Sequence, residues 1–574
     1  MPRNFLKHFR PVLLHGNSLA LLSFFGILAG AASSLVIAGF MGAIDFVLFL
    51  FQGKENLGFA GFSPWQRLLL PIGGALMLIG LYRLSNKKHQ DVGIAHVIDR
   101  LQRGRGKLPL GNTLFQLVAA LIALASGFSL GKEGPAVHIG SGIASKLGRT
   151  LGRTPSELRL LIGCGTAAAI SSAFGTPLAG VMFAMEVVLM EYSLNGFIAI
   201  ISASTTAAVT SRLLVGEHAA LFQLPIAPPT QLDIPWLIVT GIATGLVAAI
   251  LHRLIKYFLA LNLVRLEVRF LTAGLITGLL GMLVPQVMGL GYDTMNAILT
   301  GQFVWWLLLA ILIAKIIATA AAVGLGLPAG IVAPSLVVGM ASGALVGVLA
   351  PGQTNDAFYA LMGMAGLMSG LLHAPLAALT AVLELSFNAE VMFPAMIVVV
   401  LANLTCQVLF LQPSIFQTLL AHRGLHITIH PLRNALASRF LTELATENFS
   451  VVEPTMDNTS ISEILANSDR LLVFRDLQRS YLVPQTILSD QLKKWHPLPD
   501  SQADDLHAFL ARVIPERSRI SVLDEDASLL EGIRILQNND MVGIQVPLDT
   551  FRIGLVTRNQ LTSVLISTTD GDLH

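Results

Sequence analysis

A series of uncharged runs, each long enough to cross a lipid bilayer, constrains this chain more than any other feature. Leu19 to Ile44, Leu160 to Met185, Phe270 to Tyr292, Ile316 to Asn355 and Val391 to His422 contain no Asp, Glu, Lys or Arg. A helix needs about 20 mostly apolar residues to span the hydrocarbon core, and each run meets that length. Charged residues make up only 13% of the 574 positions, against about 25% in soluble domains. A soluble multidomain enzyme and a disordered chain are both excluded. A transmembrane barrel would alternate polar and apolar residues over about ten positions, and these runs do not. The apolar character persists to about residue 425, so the body is helical and crosses the membrane many times. Met1 to Arg10 carries Arg3, Lys7 and Arg10 without a small-residue cleavage site, and is expected to be a cytoplasmic end rather than a cleaved leader.

Charge divides the chain in two. Residues 1–425 hold 24 basic and 15 acidic groups, a net +9, whereas 426–574 hold 13 and 20, a net −7. The expected organisation is a membrane body at 1–425, a linker at 426–445 and a soluble acidic tail at 446–574.

Several runs are interrupted by Gly and Pro: at Gly131, Gly134 and Pro135, at Gly175 and Pro177, at Pro328, Gly330 and Pro334, and at Pro375. Backbone that leaves a helix within hydrocarbon is tolerated only inside protein or beside a wet cavity. The interruptions also repeat. Thr176–Glu186 (TPLAGVMFAME) matches Ala374–Glu384 (APLAALTAVLE) at an offset of 198, and Gly134-Pro135 with Gly140 matches Ala333-Pro334 with Gly339 at 199. Two matches at nearly one spacing argue for two related halves, at about 110–215 and 305–425. In transporters built this way, broken helices at equivalent places in the two halves point at the substrate. That places the site at Gly131–Pro135 and Gly330–Pro334.

A helix that begins inside the membrane offers unpaired N–H groups and the positive end of its dipole, which favour an anion. A cation site would need carbonyl rings or clustered carboxylates, and the body has no carboxylate pair at ligand spacing. Glu133, in the first turn of such a helix, can occupy the anion's place when ionised and swing aside when protonated.

These residues resemble the CLC family of chloride channels and proton/chloride antiporters. The resemblance rests on GKEGP at 131–135, AFGTPLAGVMFAMEV at 173–187, GIVAP at 330–334 and QPSIF at 412–416, and it runs from the body into the tail. It implies an antiparallel two-half membrane fold, a homodimer with one pore per subunit, chloride as substrate and Glu133 as the external gate. It also implies that Lys132 and Gly134, with Val92 and Phe416, line the anion-binding pore, and that amides of Ile331 and Val332 help hold the central anion. Three departures thin the side-chain contacts of that site. Val92, in Asp91-Val92-Gly93-Ile94-Ala95, replaces a hydroxyl residue, Val332 replaces an aromatic ring, and Phe416 stands where a tyrosine is expected. Weak, poorly selective anion binding is expected in consequence. The family's antiporters have a second, internal glutamate where this chain has Val187, so a passive anion channel gated by protonation of Glu133 is expected. The alternative is a proton-coupled antiporter with a non-standard internal proton route. Glu186 and its repeat partner Glu384 are expected to be hydrogen-bonded structural groups.

In the tail, short β-rich pieces at 471–474, 520–523, 542–546 and 552–556 accompany a helix at 528–537. The pattern resembles a tandem pair of CBS domains at about 446–495 and 514–568. Gly554-Leu555-Val556-Thr557-Arg558-Asn559-Gln560-Leu561 matches the end of that motif, with Gln560 where an acidic residue often holds a nucleotide's ribose. Tyr481-Leu482-Val483-Pro484 corresponds in the first unit, also without the acid. This weighs against adenine-nucleotide binding and for a dimerising role. Cys164 and Cys406 lack spaced partners, no His forms a metal-ligand spacing, and no catalytic constellation stands out. No metal, cofactor, enzymatic activity or nucleic-acid partner is expected; the basic run Arg100, Arg103, Arg105 and Lys107 reads as a cytoplasmic loop end. The expected whole is an all-α polytopic membrane protein with two inverted repeats and an α+β cytoplasmic tail, surrounded by membrane lipid, in a bacterial inner membrane.

Overall fold

The computed structural model describes residues 19–52, 58–103, 106–216, 231–261, 265–350 and 356–425 of the body. In the tail it describes 436, 439–453, 456, 460, 463–464, 471–476, 479–483, 519–524, 527–537, 541–548 and 552–563. Met1–Arg10, most of the 426–445 linker and Pro484 lie outside these residues. Chain contacts divide into two compact units, up to Ile427 and from Thr428 onward.

The body's helices, in order, are α1 (Leu19–Gln52), α2 (Pro64–Leu84), α3 (Gly93–Gln102), α4 (Leu110–Ala125), α5 (Glu133–Thr150), α6 (Pro155–Phe174), α7 (Pro177–Phe183), α8 (Leu194–Val215) and α9 (Ile234–Ala260). They continue with α10 (Leu266–Leu283), α11 (Tyr292–Leu299), α12 (Trp305–Gly324), α13 (Val332–Leu349), α14 (Asp356–Leu372), α15 (Pro375–Ser386), α16 (Met392–Leu404) and α17 (Ile415–His422). Wider helical turns at Ala184–Leu189 and Thr405–Leu409 extend α7 and α16. Among the described residues nine helices are long and apolar enough to cross a membrane. The chain is a multi-pass membrane protein.

The two halves run in step. In the first, α4 leads through the Gly131 break to α5 and α6, and a turn at Gly175 leads to α7 and α8. In the second, α12 leads through the Gly330 break to α13 and α14, and a turn at His373 leads to α15 and α16. The offset seen in the motifs also governs packing. A Cβ on Gly140 would run into the Gly165 carbonyl oxygen, so bare backbone lets α5 lie against α6. The equivalent Gly339 would place its Cβ 2.5 Å from the Gly363 carbonyl oxygen, between α13 and α14. Small residues at such contacts let membrane helices pack closely, where apolar burial between helices gives little drive.

The tail forms one six-stranded sheet: β1 (Phe449–Val452), β2 (Leu471–Asp476), β3 (Arg479–Val483), β4 (Arg519–Val522), β5 (Met541–Pro547) and β6 (Ile553–Thr557), in spatial order β1 to β6. Each half of it repeats one pattern. A parallel pair, β1 with β2 or β4 with β5, is followed by an antiparallel hairpin strand, β3 or β6, and β3 pairs antiparallel with β4 across the middle. The amphipathic helix α18 (Leu529–Leu536) makes the crossover from β4 to β5 and buries Leu529 and Leu536 against Ile544, Val546 and Val556.

Candidate anion site and gate

The two breaks meet. Gly131 N–H donates to the Gly330 carbonyl and Gly330 N–H to the Gly131 carbonyl, both at 2.7 Å, in an isolated antiparallel bridge. Reciprocal contact between equivalent residues is what a two-fold relation between the halves produces. A Cβ on Gly134 would stand 2.8 Å from the Gly330 Cα, so the crossing admits no side chain there.

Past the bridge each half starts a helix, and the two starts differ. In the second half, Ile331 precedes α13 with no side-chain cap, and the first turn is Val332, Ala333 and Pro334. In the first half, Lys132 precedes α5, also without a side-chain cap, and Glu133 follows. The Glu133 carboxylate is fully buried. Its Oε2 accepts the Ala333 N–H at 3.2 Å and its Oε1 accepts the Tyr292 hydroxyl at 3.4 Å. The sequence suggests a carboxylate against the start of its own helix; the structure keeps it at its own backbone N–H and adds an amide at the start of the other half's helix, 200 residues away. The Ile331 and Val332 amides, expected to hold the anion, immediately precede that amide in the chain.

Two lysines lie in this part of the body, Lys132 part-buried beside Glu133 in the chain and Lys315 fully buried on α12. Lys132 Nζ lies 4.8 Å from the Tyr292 ring centroid and 6.0 Å from that of Phe174, an aromatic cradle that attracts a cation through the ring faces. Lys315 donates to the Val287 and Gly289 carbonyls at 2.8 and 3.3 Å. Its contacts are neutral carbonyl dipoles.

The remaining predicted residues fall into place around helix starts. Val92 is the extended residue before α3, is buried and offers no side-chain cap. Gly93 N–H instead donates to Gln116 Oε1 at 2.7 Å, and Gln116 Nε2 donates to the Pro328 carbonyl at 2.8 Å, tying α3 to the second break. Phe416, at the start of α17, is buried, and Val92, Ile331, Val332 and Phe416 share one apolar core. By contrast, α2 and α6 begin with capping boxes at Ser63 and Thr154. Local side chains satisfy those starts, whereas α3, α13 and α17 lack such caps. A small apolar cavity of about 30 Å³ lies between the halves, with Phe174, Thr176, Val332 and Leu385 in its wall.

Glu186 and Glu384 form a second reciprocal crossing. Glu186 accepts the Leu376 and Ala377 N–H groups at 3.1 and 2.8 Å, capping α15. Glu384 accepts the Leu178 and Ala179 N–H groups, both at 2.8 Å, capping α7. Both are structural carboxylates in the sense the repeat suggests. Val187, beside Glu186, is buried.

Sequence reasoning missed Tyr292, Gln116 and Lys315. The run Gly289-Leu290-Gly291 before Tyr292, with positive φ at both glycines, is the local signal that an ordered turn delivers that ring. In the tail, Gln560 Oε1 accepts the Thr557 N–H and hydroxyl at 2.8 and 2.9 Å, so the residue standing where the motif often has an acid is engaged internally.

Residues 73–407 match the family model described as voltage gated chloride channel. A protein of Ralstonia nicotianae named putative chloride channel protein ClcB-like is 30% identical over 373 residues, which is 62% of this chain and 86% of that protein. A solved structure described as a slow cyanobacterial Cl-/H+ antiporter aligns with a TM-score of 0.62 at 23% identity, covering 70% of this chain and 97% of that one. Another, described as a eukaryotic CLC transporter, aligns with a TM-score of 0.62 at 19% identity over 94% of this chain and 98% of that one. The matched model covers more than half of the sequence and includes both breaks and Glu133, so this chain belongs to the CLC family of chloride-transporting membrane proteins.

Proposed function

We propose that the chain is a proton-coupled chloride antiporter in which one carboxyl group serves both ions. The observation that carries this reading is the Glu133 carboxylate on the Ala333 amide. Ionised, it fills the place at the start of α13 where chloride would accept the same N–H. Protonated, it loses the charge that holds it there, and chloride takes the amide. Occupation by the ionised side chain and by chloride are mutually exclusive, so proton arrival and chloride arrival are linked. The antiporter among the similar structures supports this reading over the channel expected from the sequence. A passive channel remains the second reading, favoured by the apolar Val187 where the family's antiporters have an internal glutamate.

Reversal potentials in proteoliposomes under opposed chloride and pH gradients decide between them. An antiporter reverses at a potential set by both gradients, and a channel reverses at the chloride equilibrium potential whatever the pH gradient.

The rest of the proposal follows the family resemblance. The protein works as a homodimer with one pathway per subunit, in a bacterial inner membrane with both chain ends cytoplasmic. The Glu133 charge moving within the membrane field makes transport voltage-dependent. The tail acts as a CBS-like pair with a dimerising role, and neither a cofactor nor catalytic chemistry is part of the reading.

A further inference from the structure

An antiporter with Val187 in place of an internal carboxylate needs another way to bring protons from the cytoplasm to Glu133. His96, on α3, and His138, on α5, are 5% and 0% exposed. His96 Nδ1 lies 2.9 Å from His138 Nε2, with the ring centroids 5.2 Å apart. Between neutral imidazoles such a contact needs one nitrogen to carry the proton and the other to accept it. The far nitrogen of the pair, His138 Nδ1, is buried with no hydrogen-bond partner. Buried polar atoms are nearly always paired, and an orphan at this position calls for an explanation.

The surroundings give the pair a direction. His96 stands one turn before Arg100, at the start of the basic run whose charge favours the cytoplasmic side by the positive-inside tendency. Arg103 reaches the Gly424 carbonyl at 3.3 Å, just after α17. The far end of α5 is tied to the same loop, through Ser145 to the Gly106 carbonyl at 2.7 Å and Arg149 to the Leu108 carbonyl at 2.7 Å. Thus α5 runs from Glu133 toward the cytoplasmic loop, and His138 sits five residues along it, about 7.5 Å of helix rise from Glu133. The charges acting on His96 are Asp91, Arg100 and Arg423, and those acting on His138 are His96 and Arg423. The Ala184–Leu189 segment also packs on α3; it brings the apolar Val187, while its Glu186 is taken up by the α15 amides.

We propose that the His96–His138 pair is the internal proton route of this chain, doing from α3 and α5 what Val187 cannot do. The proposal rests on the antiporter reading above. With protons on His96 Nδ1 and His138 Nδ1, a cytoplasmic proton adds to His96 Nε2, and the His96 Nδ1 proton passes to His138 Nε2. The His138 Nδ1 proton then leaves through water to the Glu133 carboxylate, which becomes the neutral acid. Each ring ends neutral with its proton on the other nitrogen, and ring rotation or traffic in the reverse direction resets it. Histidine chains carry protons in this way within membranes.

The test is paired chloride and proton flux from full-length protein in proteoliposomes, for the wild type, His138→Gln and His96→Asn. The expected result is that the wild type drives protons uphill on a chloride gradient, while in both variants proton flux falls about a hundredfold and chloride movement continues uncoupled. If the wild type moves no protons, the antiporter reading and the relay fall together. If the wild type couples and both variants couple equally well, only the relay is overturned. Loss of both fluxes in both variants would mark the pair as packing and overturn it too.

Discussion

Two crossings join the halves of the body, and they use the same residue type to different ends. At one crossing Glu186 caps α15 and Glu384 caps α7, each accepting two consecutive amides from the other half. At the central crossing the repeat offset of 199 places Val332 opposite Glu133, so one half supplies a carboxylate and the other an uncapped helix start. In the symmetric pair these amides are already taken, because each carboxylate accepts two of them from the partner half. An unmatched carboxylate leaves a place that either the side chain or an anion can hold. On the proposed reading, the same scaffold makes a joint where it is symmetric and a switch where symmetry is broken.

The comparison breaks most completely if Glu133 is neutralised. Glu133→Gln is expected to lower proton flux by about a hundredfold or more and to abolish the acid stimulation of chloride flux, as read by paired chloride and pH electrodes on loaded vesicles. Flux that still rises in acid would reject Glu133 as the switch. At the joint, Glu186→Gln and Glu384→Gln are each expected to destabilise the folded protein by about 1.5–3 kcal/mol, the worth of hydrogen bonds to a charged group. Thermal unfolding in detergent should show nearly equal shifts, with proton coupling kept. Unequal shifts, or loss of coupling from either, would end the description of these carboxylates as equivalent. The smallest effect belongs to Tyr292→Phe, which removes only the 3.4 Å hydroxyl contact to Glu133. At about 1 kcal/mol the ionised gate is held less firmly, and chloride flux at neutral pH should rise about fivefold. A fall in flux would place the hydroxyl on the anion's side of the balance.

Much of this architecture could be read from the chain. The uncharged runs established a helical membrane body, the Gly134-Pro135 and Ala333-Pro334 match located the breaks, and the paired TPLAG and APLAA segments marked Glu186 and Glu384 as structural groups. Glu133 stood out because a carboxylate beside Gly-Pro in a sparsely charged body is a local anomaly. The tail strands expected at 471–474, 520–523, 542–546 and 552–556 occur at Leu471–Asp476, Arg519–Val522, Met541–Pro547 and Ile553–Thr557. Partners were not legible in the same way. The Ala333 amide is an ordinary backbone group until the fold brings it to Glu133, 200 residues earlier. Tyr292 and Glu133 are 159 apart, and Gln116 and Pro328 are 212 apart. His96 and His138, 42 apart and in different helices, follow no ligand spacing, because their relation is set by packing and not by periodicity.

The reciprocal bridge between Gly131 and Gly330 bears on how fast such a switch can work. Two hydrogen bonds fix the backbones of both halves against one another immediately before α5 and α13. Rocking one half past the other would break this rivet at every cycle. Turning one side chain about its own bonds would leave it whole, and rotamer changes belong to a far quicker class of motion than rigid-body rearrangement. On the proposed antiporter reading, turnover is then paced by the supply of protons to a single carboxyl, with the membrane helices as a fixed frame around it.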